Sequence, residues 1–228
     1  MIAWRQNLEQ WGNTRMKLHH ALLLLAALVM SGCATSRGTM ALTVAPANVS
    51  SSSGIPVYVD QIVDKRVFED KPGQPSTPSL KGGKATSASE EIKSKAVARK
   101  RNTYGRALGD ILLDGDQTVV GVMRDLLRES FHGAGYVVVD DRSKLGDKGL
   151  EVNVDIEKFW AWFTPGFFAV AMESQIETTL HVTQAGESRR VDVRAYGKNS
   201  GQSGREGNWI EAYRRGFEDY KAKLKEAF

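Results

Sequence analysis

Alternation with a period of two, and stepping by three or four, divide this chain into strands and helices. "IPVYVDQIV", Ile55 to Val63, alternates and is rich in β-branched residues, so it predicts a strand. From Lys65 to Asp114 periodicity disappears, and "KPGQPSTPSLKGGKATSASEE" has the low-complexity composition of a loop or disordered segment. Val119, Val120, Met123, Leu126, Leu127 and Phe131 then trace one face of a helix. Asp116 is placed to cap its start, and Gly133 or Gly135 to end it. "YVVVD" (136–140) reads as a short buried strand.

Three strands with matching patterns follow. Leu150, Val152, Val154 and Ile156 alternate with Glu151, Asn153, Asp155 and Glu157. Phe168, Val170, Met172, Ile176, Leu180 and Val182 alternate with Glu173, Gln175, Glu177 and His181. A three-residue loop, Thr164 to Gly166, is expected between them, pairing Val154 with Ile176 and Leu150 with Leu180. A one-residue slip would turn the apolar faces to opposite sides. The third strand, Arg189 to Tyr196, joins through a turn at Ala185-Gly186. Near the C-terminus Ile210, Tyr213, Phe217, Tyr220, Leu224 and Phe228 mark an amphipathic helix, with Asn208 and Glu211 resembling a capping box. The order predicts an α+β fold, a two-layer sandwich of an antiparallel sheet with two amphipathic helices.

The start of the chain changes the picture from fold to address. Ala21 to Met30 are ten consecutive apolar residues. A spanning helix needs roughly 20, whereas a signal-peptide core needs roughly 7–15. Lys17 precedes the run, and Ser31, Gly32 and the lone Cys33 follow it. That order resembles the lipobox of bacterial lipoproteins, in which the cysteine sulfur takes a diacylglycerol, with Met30 where leucine is usual. The resemblance implies a signal peptide at 1–32, lipidation of Cys33, and outer-membrane sorting, because Ala34 rather than Asp follows the cysteine. Met16 makes the more conventional start, since Trp4, Glu9 and Trp11 do not suit an n-region. Residues 33–54, ending in "ANVSSSSG", read as a flexible tether, and 55–228 as one α+β domain with a long disordered or loop segment at about 65–115. A single cysteine excludes an intrachain disulfide and a cysteine-based metal site.

Charge and chemistry add less. Taking away Arg5, Arg15, Lys17 and Glu9 with the leader leaves 28 basic and 26 acidic residues, so no nucleic-acid partner is implied. "KSKAVARKRNTYGR" (93–106) holds six Lys or Arg and no acidic residue. Either it is a solvated loop, or Arg99, Lys100, Arg101 and Arg106 contact phosphates of anionic phospholipid or lipopolysaccharide, with Tyr104 as an interfacial ring. "FWAWFTPGFF" (159–168) is apolar on both faces: Trp160 and Trp162 point one way, Phe159 and Phe163 the other, and Phe167 follows. The second face is either covered by a helix or the long loop, or exposed to bind a partner, acyl chains or the bilayer. His132 at a helix end and His181 on a polar strand face have no ligand neighbour at metal spacing, and Glu173 and Glu177 fit a solvated face. No Gly-x-Ser-x-Gly or His-Glu-x-x-His string occurs, so no catalytic set, cofactor or metal is expected.

The lipobox, "VYVDQIVDKR", "VMRDLLRESFHGAGYVVVD" and "LEVNVDIEKFWAW" together resemble the YajG-type lipoproteins of the bacterial outer membrane, from which the long segment between Arg66 and Asp114 departs. The architecture is also similar to LptE-like lipoproteins of lipopolysaccharide assembly and to auxiliary lipoproteins of ABC transporters. The resemblance implies a fold and a periplasm-facing address, not an activity. The expected role is a lipid-anchored, non-enzymatic accessory to envelope machinery or lipid transport, held to the membrane through Cys33 and binding an envelope protein. The alternatives are an envelope hydrolase acting on peptidoglycan or lipid, and a structural spacer without ligand.

Overall fold

Strand β1 (Gly38–Met40) sets the first departure from the sequence pattern, because it begins where a tether is expected. The structure, a computed structural model, describes residues 37–48, 52–102, 104, 106–166, 169–201 and 204–228. The leader, the predicted lipidation site Cys33 and Phe167 lie outside them. After β1 come β2 (Pro56–Asp64), a short helix α1 (Glu90–Lys95), β3 (Ala96–Arg101), β4 (Ala107–Leu113), α2 (Val119–Gly133), β5 (Val137–Val139), β6 (Leu150–Pro165), β7 (Val170–Gln184), β8 (Glu187–Gly201) and α3 (Glu206–Ala227). Among the described residues the fold is α+β, with three α-helices and a mixed eight-stranded sheet rather than a purely antiparallel one.

β6, β7 and β8 form the expected antiparallel meander, but longer, and β1, β2, β3 and β5 all enter parallel pairings. β6 shares one edge between two partners. Its first half pairs with β2 and its second with β3, at Ala98 opposite Ala161. Arg66 fills the gap between those partners. Its Nη1 donates to the carbonyls of Ala96 (2.6 Å) and Phe159 (3.1 Å), Nη2 donates to that of Lys93 (2.7 Å), and Asp64 grips the guanidinium from below with two bonds of 2.8 Å. The Ala96 and Phe159 carbonyls would otherwise be buried acceptors without a side-chain partner.

The hairpin register differs from the expected one. Val154 faces Leu180, Phe159 faces Ile176, and Pro165 faces Val170, so the connection spans 166–169. The difference comes from the connection lying at 166–169 rather than 164–166, and a bulge at Glu157, between the Ile156–Thr178 and Lys158–Glu177 pairs, adds a further shift of one. One extra residue shifts the alternation by one. Before it Leu150, Val152, Val154 and Ile156 face the main core; after it Phe159, Ala161 and Phe163 do, which turns Trp160 and Trp162 to the other face.

Both long helices lay their apolar stripes into that main core. α2 is capped by Thr118, not Asp116, whose Oγ1 accepts from the Gly121 amide at 3.1 Å. It ends at Gly135, which takes the left-handed position (φ 91°). α3 starts earlier than the Asn208 box predicts. Asn208 instead accepts from Asn199 Nδ2, and Glu211 pairs with Arg214 and Arg215. Where α3 crosses β8, Gly197 allows the close approach: a Cβ there would stand 2.1 Å from the Ala212 carbonyl oxygen and 2.4 Å from the Gly216 nitrogen. Along the free edge of β8, Arg215, Asp219 and Lys223, one turn apart on α3, bond to the Lys198 carbonyl, the Tyr196 amide and the Arg194 carbonyl. Over residues 194–198, backbone groups that a foreign strand would pair with are thus already engaged.

Residues 37–48 are not a tether. Met40 and Leu42 are buried in the main core, the Leu42 amide and carbonyl are held by the Gln117 side chain, and the Ala47 amide donates to Glu129. Nor is 65–115 one structureless stretch, since α1, β3 and β4 occupy its second half.

Candidate functional site

The aromatic hairpin is core on both faces. Phe159 and Phe163 are buried in the main cluster, and Phe159 stacks on Tyr213 at 5.0 Å between centroids. Trp160 and Trp162 form a second core with Phe68, Leu80, Ala85 and Ala96. The loop before α1 thus wraps back over this face. Phe68 meets Trp160 edge-on at 6.0 Å, and the indole Nε1 donates to the Pro75 carbonyl at 3.2 Å. Phe159, Trp160, Trp162 and Phe163 therefore do not form the exposed partner patch that was one of the two expectations.

The basic run is split by strand geometry. β3 turns Arg99 inward, where it is 7% exposed and its Nη1 donates to the Leu80 carbonyl at 2.5 Å and to Ser79 at 3.3 Å. Arg99 is a structural residue and cannot reach a lipid phosphate. Desolvation lowers its pKa, opposed by the nearby Asp110. Burial and the like charge of Arg99 also lower that of the half-buried Arg101. Lys100 is half-buried as well, Arg106 is exposed, and Tyr104 is 93% exposed at the β3–β4 turn. Asp110, on β4, is fully buried; it accepts the Lys81 amide at 2.6 Å and pairs with Arg37 at 3.2 Å.

The two histidines stay apart in their roles. His181 Nε2 lies 3.1 Å from Asp155, whose other partner is Lys65 at 2.6 Å. Burial raises the Asp155 pKa, but the bonds from Lys65 and His181 outweigh it and hold the carboxyl below its usual value. His132 lines a cavity of about 380 Å³ between α2 and the edge strand β5, with Ser52, Arg128, Glu129 and Tyr136. The cavity gathers a hydroxyl, an imidazole and a carboxylate without linking them. Ser52 Oγ accepts from the Gly54 amide, and Glu129 accepts from the Ala47 amide. No hydrogen bond joins either to His132, so no activated nucleophile is assembled there. Glu173 and Glu177 share their face with Gln175: Glu173 accepts from the Tyr196 hydroxyl and Glu177 from Gln175.

Among the described residues, no group of three His, Cys, Asp or Glu is placed to hold a metal ion. No helix there is long and apolar enough to cross a membrane. No family model matches this chain, and no curated protein does. Among solved structures, an uncharacterised protein aligns at 12% identity and TM-score 0.42, covering 84% of this chain and 97% of its own. A Xanthomonas campestris protein of the DUF330 family aligns at 12% identity and TM-score 0.43, covering 83% and 91%. A hypothetical protein from Chlamydia trachomatis aligns at 11% identity and TM-score 0.34, covering 77% and 98%.

Proposed function

We propose that this chain is a lipid-anchored, non-enzymatic lipoprotein of the bacterial envelope, a binding or assembly accessory to envelope machinery or lipid transport. Its α+β domain, a two-layer sandwich in this reading, faces the periplasm from the outer membrane. The observation that carries the proposal is the order Lys17, ten apolar residues, Ser31, Gly32, Cys33, with a folded domain whose first strand starts at Gly38. Acyl chains on Cys33 are the membrane partner, and each buried CH₂ contributes about 0.8 kcal/mol, so several chains hold the protein permanently. The partner at the other side is an envelope protein, with phospholipid or lipopolysaccharide as the lipid contact.

Crosslinking in intact cells, followed by denaturing purification, tests the role. A defined envelope protein is expected with the wild-type chain and is lost with Cys33→Ala. Recovery of lipid alone from the wild type would contradict an accessory role.

A further inference from the structure

The end of the sheet at which β1 begins also carries the basic β3–β4 turn. β1 runs parallel to β4, with Gly38 opposite Ile111 and Met40 opposite Leu113. The start of β1 therefore points toward the Ala107 end of β4, where the β3–β4 turn stands. Arg37 is in place there through Asp110, and Lys100 lies against the same strand, its Nζ 2.9 Å from where a Cβ on Gly38 would sit. Asn102 organises the turn: its Oδ1 accepts from the Tyr104 amide (3.1 Å) and the Arg106 amide (2.9 Å), and its own amide donates to the Arg106 carbonyl (3.0 Å). That brace presents an almost fully exposed tyrosine ring and an exposed arginine. Asp110, the carboxylate within this cationic group, is fully buried and already engaged.

Three residues lie between Cys33 and Arg37, and the four residue steps of an extended chain cover at most ~14 Å over that span. If Cys33 carries lipid, this end of the domain cannot stand farther from the bilayer.

We propose that the β3–β4 turn is a docking foot for an anionic bilayer: Arg37, Lys100 and Arg106 face lipid phosphates, and the Tyr104 ring sits at headgroup depth. The inference rests on the Cys33 anchor. Acyl chains alone leave the domain free to swivel, whereas the foot fixes its orientation and turns the opposite end of the sheet toward the periplasm. A tyrosine suits the interface, with an apolar ring and a hydroxyl for the wet side. Each cation near an anionic surface strengthens docking roughly five-fold, and salt screens it.

The test uses full-length lipidated protein in which Tyr104→Cys supplies the sole free thiol, the Cys33 sulfur being a thioether. A spin label there is compared with one at Ala185→Cys, at the far end of the sheet, on phosphatidylcholine vesicles with and without phosphatidylglycerol. With anionic lipid, the label at 104 should become accessible to lipid-soluble oxygen and shielded from an aqueous nickel chelate, while that at 185 stays aqueous. The Lys100→Glu, Arg106→Glu pair and high salt should reverse the shift without releasing the protein. If the protein floats with both vesicle types but 104 stays as aqueous as 185, the foot is wrong and the anchor stands. Floating with anionic vesicles alone supports the foot and removes the anchor. Floating with neither overturns both.

Discussion

Replacing Trp160 with alanine asks whether the aromatic hairpin is core or docking surface. The indole is 0% exposed, its Nε1 holds the Pro75 carbonyl, and Phe68 closes on its face. A Trp→Ala change at a buried site costs about 3–5 kcal/mol in lost transfer free energy and residual cavity. The upper half applies here, because the second core has just six buried residues and few neighbours to refill the hole. For a domain of this size that corresponds to a fall in Tm of roughly 8–20 °C, at about 2–4 °C per kcal/mol. The loss should be local as well as global, since the same ring holds down the loop between Phe68 and Ala85. Urea unfolding followed by circular dichroism gives the first readout, and the rate of protease cleavage within residues 70–89 the second. Val67→Ala, at a position 72% exposed in the same loop, is the control and should stay within about 0.5 kcal/mol of wild type. A Trp160→Ala protein that loses under about 1 kcal/mol and is cleaved no faster would refute the burial argument and return the hairpin to the surface.

Three further changes probe other parts of the account. Arg66→Met strips three carbonyls and Asp64 of their partner, so it should cost about 3–5 kcal/mol in urea unfolding; Arg66→Lys should rescue little, because an ammonium cannot reproduce the planar fork. Ala185 holds φ 51° beside Gly186 at φ 83°, a two-residue turn that favours Asn-Gly, so Ala185→Asn should raise stability by about 0.5–1 kcal/mol, and no gain would mean the turn is relaxed. Glu211 is held down to about 2 by hydrogen bonds from Arg214 and Arg215. Its contribution is therefore present above the unfolded carboxylate value of about 4.3 and fades as pH falls through the folded value. Glu211→Gln should cost under about 1 kcal/mol at pH 7, because the pairs are largely exposed, and the difference should close in acid. A gap that is constant with pH would show that the charge is irrelevant.

The elements carried by strong periodicity were legible: the α2 face, the alternating strands of the meander, the turn at Ala185-Gly186 and the stripe of α3. What the sequence hid was hidden for physical reasons. The bulge at Glu157 leaves no compositional mark, yet it switches the alternation between the two halves of β6 and so decides which aromatics face which core. β1 is three residues long, and β3 carries Arg99, Lys100 and Arg101, so neither resembles a half-buried strand. The second core draws Phe68, Leu80 and Ala85 from positions too sparse to show any period. The basic run was visible as a composition, but only β3 pairing shows that Arg99 turns inward while Tyr104 and Arg106 turn out. Those exposed residues, with Arg37 just before β1, make up the part of the candidate site that the fold brings together.

The central claim is that this domain lives attached to lipid through its lone cysteine. Mass spectrometry of the N-terminal peptide from protein extracted with detergent out of cell envelopes tests it most directly. The account predicts a chain beginning at Cys33 whose first residue carries the mass of a diacylglycerol thioether. A peptide that continues unbroken through Gly32 to an unmodified thiol would contradict it.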